Sequence, residues 1–138
     1  MKLKLNDTTA LIVEDDAHSL VTLSSLLKDL GIRYKRNTTG SRVLAQLRAM
    51  HPSPAFVLLD LTLPDADSLA ICRAIRADSQ WYHLPIVALC DGYPQNGSFT
   101  ELRSAGFTGC IRKPFPQKAF GDLLLVILNG GTLWEIVS

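Results

Sequence analysis

The segment AFVLLDLTLP, residues 55–64, decides the fold class of this chain, because its first half is apolar at every position. Such a run is typical of a strand buried on both faces, as in a parallel sheet. Similar runs lie at residues 10–13, 85–89 and 107–111. Residues 32–36 alternate between apolar and polar instead, which predicts an edge strand with one face in water.

Amphipathic segments separate these runs and predict helices. The clearest apolar stripe runs from Leu20 to Leu30, with Asp16 as its N-cap and Gly31 as its stop. The other stripes are Val43, Leu44, Leu47 and Met50 before His51-Pro52; Ala70, Ile71, Ala74 and Ile75; the weak pair Phe99 and Leu102; and Phe120, Leu123, Leu124, Ile127 and Leu128 before Asn129. Strand and helix therefore alternate five times. Right-handed crossovers then give a doubly wound, three-layer α/β/α fold around a five-stranded parallel sheet.

The composition favours one soluble domain. The chain has 138 residues, is 47% hydrophobic and carries a net charge of +1, which offers little attraction to nucleic acid or a membrane surface. Its longest apolar stretch, residues 123–128, is far shorter than the ~20 residues that span a bilayer, and no signal peptide is evident. We expect a cytoplasmic protein with an extension at 1–8, a domain at 9–128 and a tail at 129–138.

Charged residues follow three of the predicted strands. Glu14 and Asp15 follow the first strand, Asp60 ends the third, and Lys113 follows the fifth. The carboxyl ends of parallel strands meet at one edge of the sheet, where ligands bind. Clustered carboxylates favour a cation such as Mg²⁺, an aspartate can attack a phosphoryl group, and a lysine can stabilise the phosphoryl oxygens. This joint placement argues against unrelated loop charges.

Residues from about 10 to 128 resemble the receiver domain of two-component response regulators. The resemblance rests on LIVEDD at 11–16, VLLDLTLP at 57–64, LPIVAL at 84–89 and KPF at 113–115. It implies a flavodoxin-like (βα)5 fold with strand order 2-1-3-4-5. It also implies Mg²⁺ as cofactor and a histidine kinase or phosphotransfer protein as phosphodonor.

The resemblance assigns a role to each charged residue. Asp60 is the implied phosphoacceptor and a metal ligand. Asp15 binds Mg²⁺ directly, Glu14 holds it through water, and the backbone carbonyl of Thr62 completes the protein's share of the ligands. Lys113 contacts the phosphoryl group, and its bond to the following proline is expected to be cis.

Four positions depart from the family pattern. Cys90 stands where a Thr or Ser hydroxyl usually contacts the phosphoryl group, and a thiol is a weaker donor. The relay through Cys90 should therefore be softer. Cys110, the second implied switch position, stands where an aromatic residue is usual and is too small to play that part by a change of rotamer. Asp91 is most simply a solvated loop residue, although its carboxylate could oppose a phosphoryl group or tighten metal binding. Ser68 replaces a Gly, which costs ~1 kcal/mol if the backbone needs a positive φ.

The three cysteines, Cys72, Cys90 and Cys110, are too few for a disulfide framework or a zinc site. Adjacent strands could bring Cys90 and Cys110 close together, but separate buried thiols that fill the core are the simpler interpretation.

The sequence thus predicts a stand-alone receiver that is not an enzyme and that signals through protein contacts at residues 96–128. A pseudo-receiver that binds partners without phosphorylation is the alternative, and a small phosphatase using Asp60 is a third. The apolar tail at 132–137 either folds back onto the domain or docks onto a partner, and a homodimer is compatible with it.

Overall fold

The computed structural model describes residues 5–64, 66–92 and 99–134. At its centre lies a parallel five-stranded sheet with the order β2-β1-β3-β4-β5. The strands are β1 (Thr9–Val13), β2 (Arg33–Asn37), β3 (Phe56–Asp60), β4 (Ile86–Cys90) and β5 (Gly109–Arg112). The strand order that the resemblance implied is confirmed, and β2 is an edge strand as its alternating pattern predicted.

Helices cover both faces of the sheet. They are α1 (Ala17–Asp29), α2 (Val43–Ala49), α3 (Ser68–Ala77), α4 (Thr100–Ala105) and α5 (Phe120–Leu128). Leu11 and Val13 of β1 pack into the cluster formed with α2, α3 and α4, whereas Ala10 and Ile12 pack into the cluster formed with α1 and α5. Since successive side chains of a strand point to opposite faces, both layers require the apolar residues found at positions 10–13 of β1.

The predicted ends of α1 are confirmed. The Asp16 side chain accepts a hydrogen bond from the backbone N–H of Ser19 at 2.8 Å, as an N-cap does. Gly31 follows the helix with a φ of 75°, a conformation that favours glycine. No helix in the described ranges is long and apolar enough to cross a membrane.

The predicted stripe of α3 is partly wrong. Ala70 and Ala74 are exposed, and the buried residues are Ser68, Cys72 and Ile75. These three positions are separated by four and three residues, so they share one face of the helix. Because the prediction counted the two small alanines as core residues, it placed the buried face of α3 partly on the wrong side of the helix.

Ser68 needs no positive φ. It is the first residue of α3, and the non-glycine residues with positive φ in the described part of the chain are Asp7 and Arg42. The Ser68 hydroxyl is buried and donates a hydrogen bond to the backbone carbonyl of Asp60. The cost expected for replacing glycine is therefore absent, and the serine instead ties the start of α3 to the end of β3.

The tail folds back onto β5, one of the two alternatives left open by the sequence. The Leu133 N–H donates to the carbonyl of Thr108 at 3.3 Å, and its carbonyl accepts from the N–H of Cys110 at 2.9 Å. The Trp134 ring lies 5.5 Å from the Phe99 ring and 4.9 Å from the Arg103 guanidinium. Residues 135–137 of the predicted tail lie outside the described residues.

Candidate functional site

The carboxyl ends of the strands open into a cleft of about 610 Å³. Asp15, Asp60, Thr62 and Lys113 line this cleft, although they come from three separate parts of the sequence. The expectation that charges after separate buried strands meet at one edge of the sheet is therefore confirmed.

Three carboxylates lie close together at the cleft, where Asp15 and Asp60 line the cavity and Glu14 is buried beside them. Glu14 is fully buried, Asp60 is 1% exposed and Asp15 is exposed. One oxygen from each lies within 4.8 Å of the others. Glu14 directly follows β1 and Asp60 is the last residue of β3, and both are buried because the residues of these strands are covered on both faces.

Glu14 is held between the backbone and the lysine. Its Oε1 accepts a hydrogen bond from the backbone N–H of Asp16 at 3.2 Å, and its Oε2 lies 3.0 Å from Nζ of Lys113. Burial, followed by the neighbouring Asp60 carboxyl, raises the pKa of Glu14 to about 7. Part of the Glu14 population therefore carries a proton near neutral pH.

Asp60 presents one oxygen to the backbone and the other to the cleft. Its Oδ1 accepts hydrogen bonds from the Thr62 N–H at 3.0 Å and from the Thr62 hydroxyl at 2.9 Å. Its Oδ2 is buried, has no hydrogen-bond partner among the described residues and lies 3.7 Å from Nζ of Lys113. Burial opposes ionisation, but the neighbouring Glu14 carboxyl, the hydrogen bonds from Thr62 and the charge of Lys113 hold the pKa of Asp60 below its usual value. Asp60 is therefore ionised at neutral pH.

Lys113 is positioned by the backbone. Its N–H donates to the carbonyl of Cys90 at 2.7 Å, and its bond to Pro114 is cis, as expected. The side chain is 15% exposed. Burial opposes its charge, but the hydrogen bond to Glu14 and the charge of Asp60 raise the pKa of Lys113.

The acidic group fits a hard divalent cation. Oδ2 of Asp60 is buried without a hydrogen-bond partner in the described part of the chain, and the buried Oε2 of Glu14 is paired with Lys113. These two buried carboxylates, together with the exposed Asp15, supply the oxygen ligands that Mg²⁺ prefers. The predicted ligand Thr62 lies beside them and lines the same cleft.

The sequence interpretation missed two contacts of the site. Ser68 anchors the carbonyl of Asp60, and its replacement of a family glycine was the signal that could have revealed this contact. Asp91 was interpreted as a solvated loop residue, and its side chain is 59% exposed. However, its Oδ2 lies 3.2 Å from the Thr62 hydroxyl and its Oδ1 lies 3.9 Å from Nζ of Lys113.

The interpretation of all three cysteines as separate thiols is wrong for one pair. Cys90 and Cys110 are joined as a disulfide across β4 and β5, with their Cα atoms 6.7 Å apart. Both residues are buried and their side chains belong to the same face of the sheet. The pairing of Cys90 with Arg112 and of Ala88 with Cys110 places the two cysteines diagonally across the adjacent strands. Cys72 is free and buried, as predicted.

Comparison with known proteins agrees with this geometry. Residues 10–124 match the response regulator receiver domain family. The polar-differentiation response regulator DivK of Brucella ovis is 25% identical over 112 residues, which cover 81% of this chain and 89% of DivK.

Solved structures give the same result. A putative response regulator from Chloroflexus aurantiacus superposes with a TM-score of 0.78 at 26% identity, over 88% of this chain and 97% of that one. The receiver domain of the sensor histidine kinase PA1611 from Pseudomonas aeruginosa, described with a magnesium ion in its active site cleft, gives a TM-score of 0.76 at 25% identity, over 90% and 98%. The chain belongs to the response regulator receiver domain family.

Proposed function

We propose that this chain is a phosphoacceptor receiver that takes a phosphoryl group on Asp60 and signals through protein contacts. One observation carries the proposal. The Oδ2 of Asp60 is buried and without a hydrogen-bond partner among the described residues, and it lies 3.7 Å from Nζ of Lys113 in the acidic cleft. A carboxylate oxygen in this position is available as a nucleophile.

The residues of the cleft have complementary roles in this reaction. Oδ2 of Asp60 attacks the phosphorus of a phosphohistidine, an O–P bond forms, the P–N bond breaks, and the histidine nitrogen leaves with its electron pair. The Thr62 N–H and hydroxyl hold the other oxygen, which orients the nucleophile. Lys113 supplies a positive charge for the phosphoryl oxygens. Ser68 fixes the backbone that carries Asp60.

Glu14, Asp15 and Asp60, with the carbonyl of Thr62, are the residues that would hold Mg²⁺. The ion would neutralise charge that develops on the phosphoryl oxygens. The magnesium described for the receiver domain of PA1611 supports this assignment.

The test is the intact mass of the protein after incubation with acetyl phosphate, with and without Mg²⁺. The full chain should gain one phosphoryl group only when Mg²⁺ is present. Asp60→Asn should gain none, whereas Asp29→Asn, an equal change of charge at an exposed position of α1, should label like the wild type. Labelling of Asp60→Asn equal to the wild type would contradict the proposal.

A second candidate, the pseudo-receiver, is favoured by the disulfide. In the disulfide Cys90 has no S–H, so the predicted phosphoryl contact of Cys90 requires the reduced form. The same bond ties both predicted switch positions together. If the protein takes up no phosphoryl group with the cysteine pair either oxidised or reduced, the better account is a pseudo-receiver that binds its partner regardless of phosphate.

The remaining assignments follow from the family. We propose a receiver domain at residues 9–128, a histidine kinase or phosphotransfer protein as phosphodonor, and a cytoplasmic location. The proposed partner surface is residues 96–128, of which 96–98 lie outside the described residues. This surface, which includes α5, is also the proposed contact of a homodimer.

A further inference from the structure

Asp91 adds a fourth carboxylate to the site, and the structure shows which side of the cleft it faces. The acidic group at the cleft consists of Glu14, Asp15 and Asp60, with oxygens within 4.8 Å of one another. Asp91 does not belong to this group within the described ranges. Its two oxygens instead face Thr62 and Lys113. The carboxylate therefore lies against the lysine proposed to serve the phosphoryl group and the threonine that orients Asp60, and outside the three-carboxylate group.

Thr62 can serve only one acceptor at a time with its hydroxyl. That hydroxyl lies 2.9 Å from Oδ1 of Asp60 and 3.2 Å from Oδ2 of Asp91. Because a hydroxyl carries one proton, Asp91 competes with Asp60 for the same hydrogen bond. The hydrogen bond that orients the nucleophile is thus shared with Asp91.

Lys113 is shared in the same way. Its Nζ lies 3.0 Å from Glu14, 3.7 Å from Asp60 and 3.9 Å from Asp91. A phosphoryl group on Asp60 would need this charge, and it would also bring new negative charge toward Asp91. Like charges at short range repel, and the repulsion weakens as salt screens it.

We propose that Asp91 is a positioning residue that lowers the affinity of the pocket for a phosphoryl group, because it competes for Thr62 and Lys113 and repels the incoming anion. This inference rests on the proposed function of Asp60. It assigns Asp91 to the phosphoryl side of the site, and it predicts that removal of the negative charge strengthens anion binding without weakening Mg²⁺ binding.

The experiment uses fluoroberyllate, an anionic mimic of a phosphoryl group bound to aspartate, as the probe on the full chain. Its affinity in the presence of Mg²⁺ is measured for the wild type, Asp91→Asn, Asp91→Glu and the control Asp29→Asn. The affinity of each variant for Mg²⁺ alone is measured in parallel, and the labelling rate with acetyl phosphate is recorded.

Asp91→Asn should bind fluoroberyllate about 3- to 10-fold more tightly than the wild type, and this difference should shrink at high salt. Asp91→Glu should remain within about twofold of the wild type, since it keeps the charge, and Mg²⁺ affinity should not fall in Asp91→Asn. Equal fluoroberyllate affinities of the wild type and Asp91→Asn, or a loss of Mg²⁺ affinity in Asp91→Asn, would overturn the inference. The proposed function would still stand in that case, provided that the wild type is labelled by acetyl phosphate. If neither the wild type nor Asp91→Asn labels with acetyl phosphate or binds the probe, the proposed function fails and this inference fails with it.

Discussion

Glu14 shows how the protonation of a single buried carboxyl affects the stability of the fold. Its pKa in the folded protein is about 7, whereas an ordinary glutamate titrates near 4.5. Between these values the folded chain binds a proton that the unfolded chain has lost. The contribution of Glu14 to stability therefore falls as the pH rises through this range.

Replacing Glu14 by Gln should therefore stabilise the protein when Mg²⁺ is absent. We expect the free energy of unfolding to rise by on the order of 1 to 3 kcal/mol, with a larger gain at pH 8 than at pH 5, because Gln carries no charge to bury. Urea unfolding at both pH values measures this. Saturating Mg²⁺ should reverse the order, since the wild type then gains more stability than the variant. A variant less stable than the wild type at pH 8 without Mg²⁺ would contradict the explanation.

The pairing of β4 with β5 determines which cysteines can form a disulfide with each other. After mild oxidation with a small disulfide, peptide mapping without reductant should find Cys90 linked to Cys110. Cys72 should resist alkylation until the protein unfolds, because burial raises its pKa to about 11 and shields the thiol. A linkage that involves Cys72 would contradict the strand arrangement, and rapid alkylation of Cys72 in the native protein would contradict its burial.

Sequence reasoning predicted the strands and helices well, because the spacing of apolar residues in a segment shows whether both of its faces are covered or only one. It placed Glu14, Asp60 and Lys113 at one edge because strand direction in a parallel sheet is uniform. It failed where the answer depends on contacts between distant elements. The diagonal approach of Cys90 and Cys110 depends on the register between β4 and β5, which no local pattern encodes. The strand order came from the resemblance to receivers.

The return of the tail onto β5 is a property of the whole molecule. Gly109 faces the tail so closely that an added Cβ would lie 2.7 Å from the carbonyl oxygen of Leu133 and 2.8 Å from its Cβ. Glycine is therefore required at this position for the tail to pair with the sheet. The contact covers the free edge of β5 and part of the proposed partner surface.

The variant Gly109→Ala should release the tail. We expect faster hydrogen exchange at the amide of Cys110, which bonds to Leu133, and altered Trp134 fluorescence. The amide of Leu61, bonded to Leu89, should keep its protection as an internal reference for the fold. Gly92→Ala is the matched control, because an added Cβ there meets nothing within 4 Å. Unchanged exchange at Cys110 in Gly109→Ala would show that the tail does not pair with β5.

Asp60 itself should carry the phosphoryl group, and chemical mapping of the labelled residue can establish this. The protein is labelled with acetyl phosphate and Mg²⁺ and treated with borohydride, which reduces an acyl phosphate to an alcohol. Peptide mass spectrometry should then find homoserine at position 60. Homoserine at Asp15 or Asp91 in place of Asp60, or a stable phosphoryl group on a serine or histidine, would contradict the account.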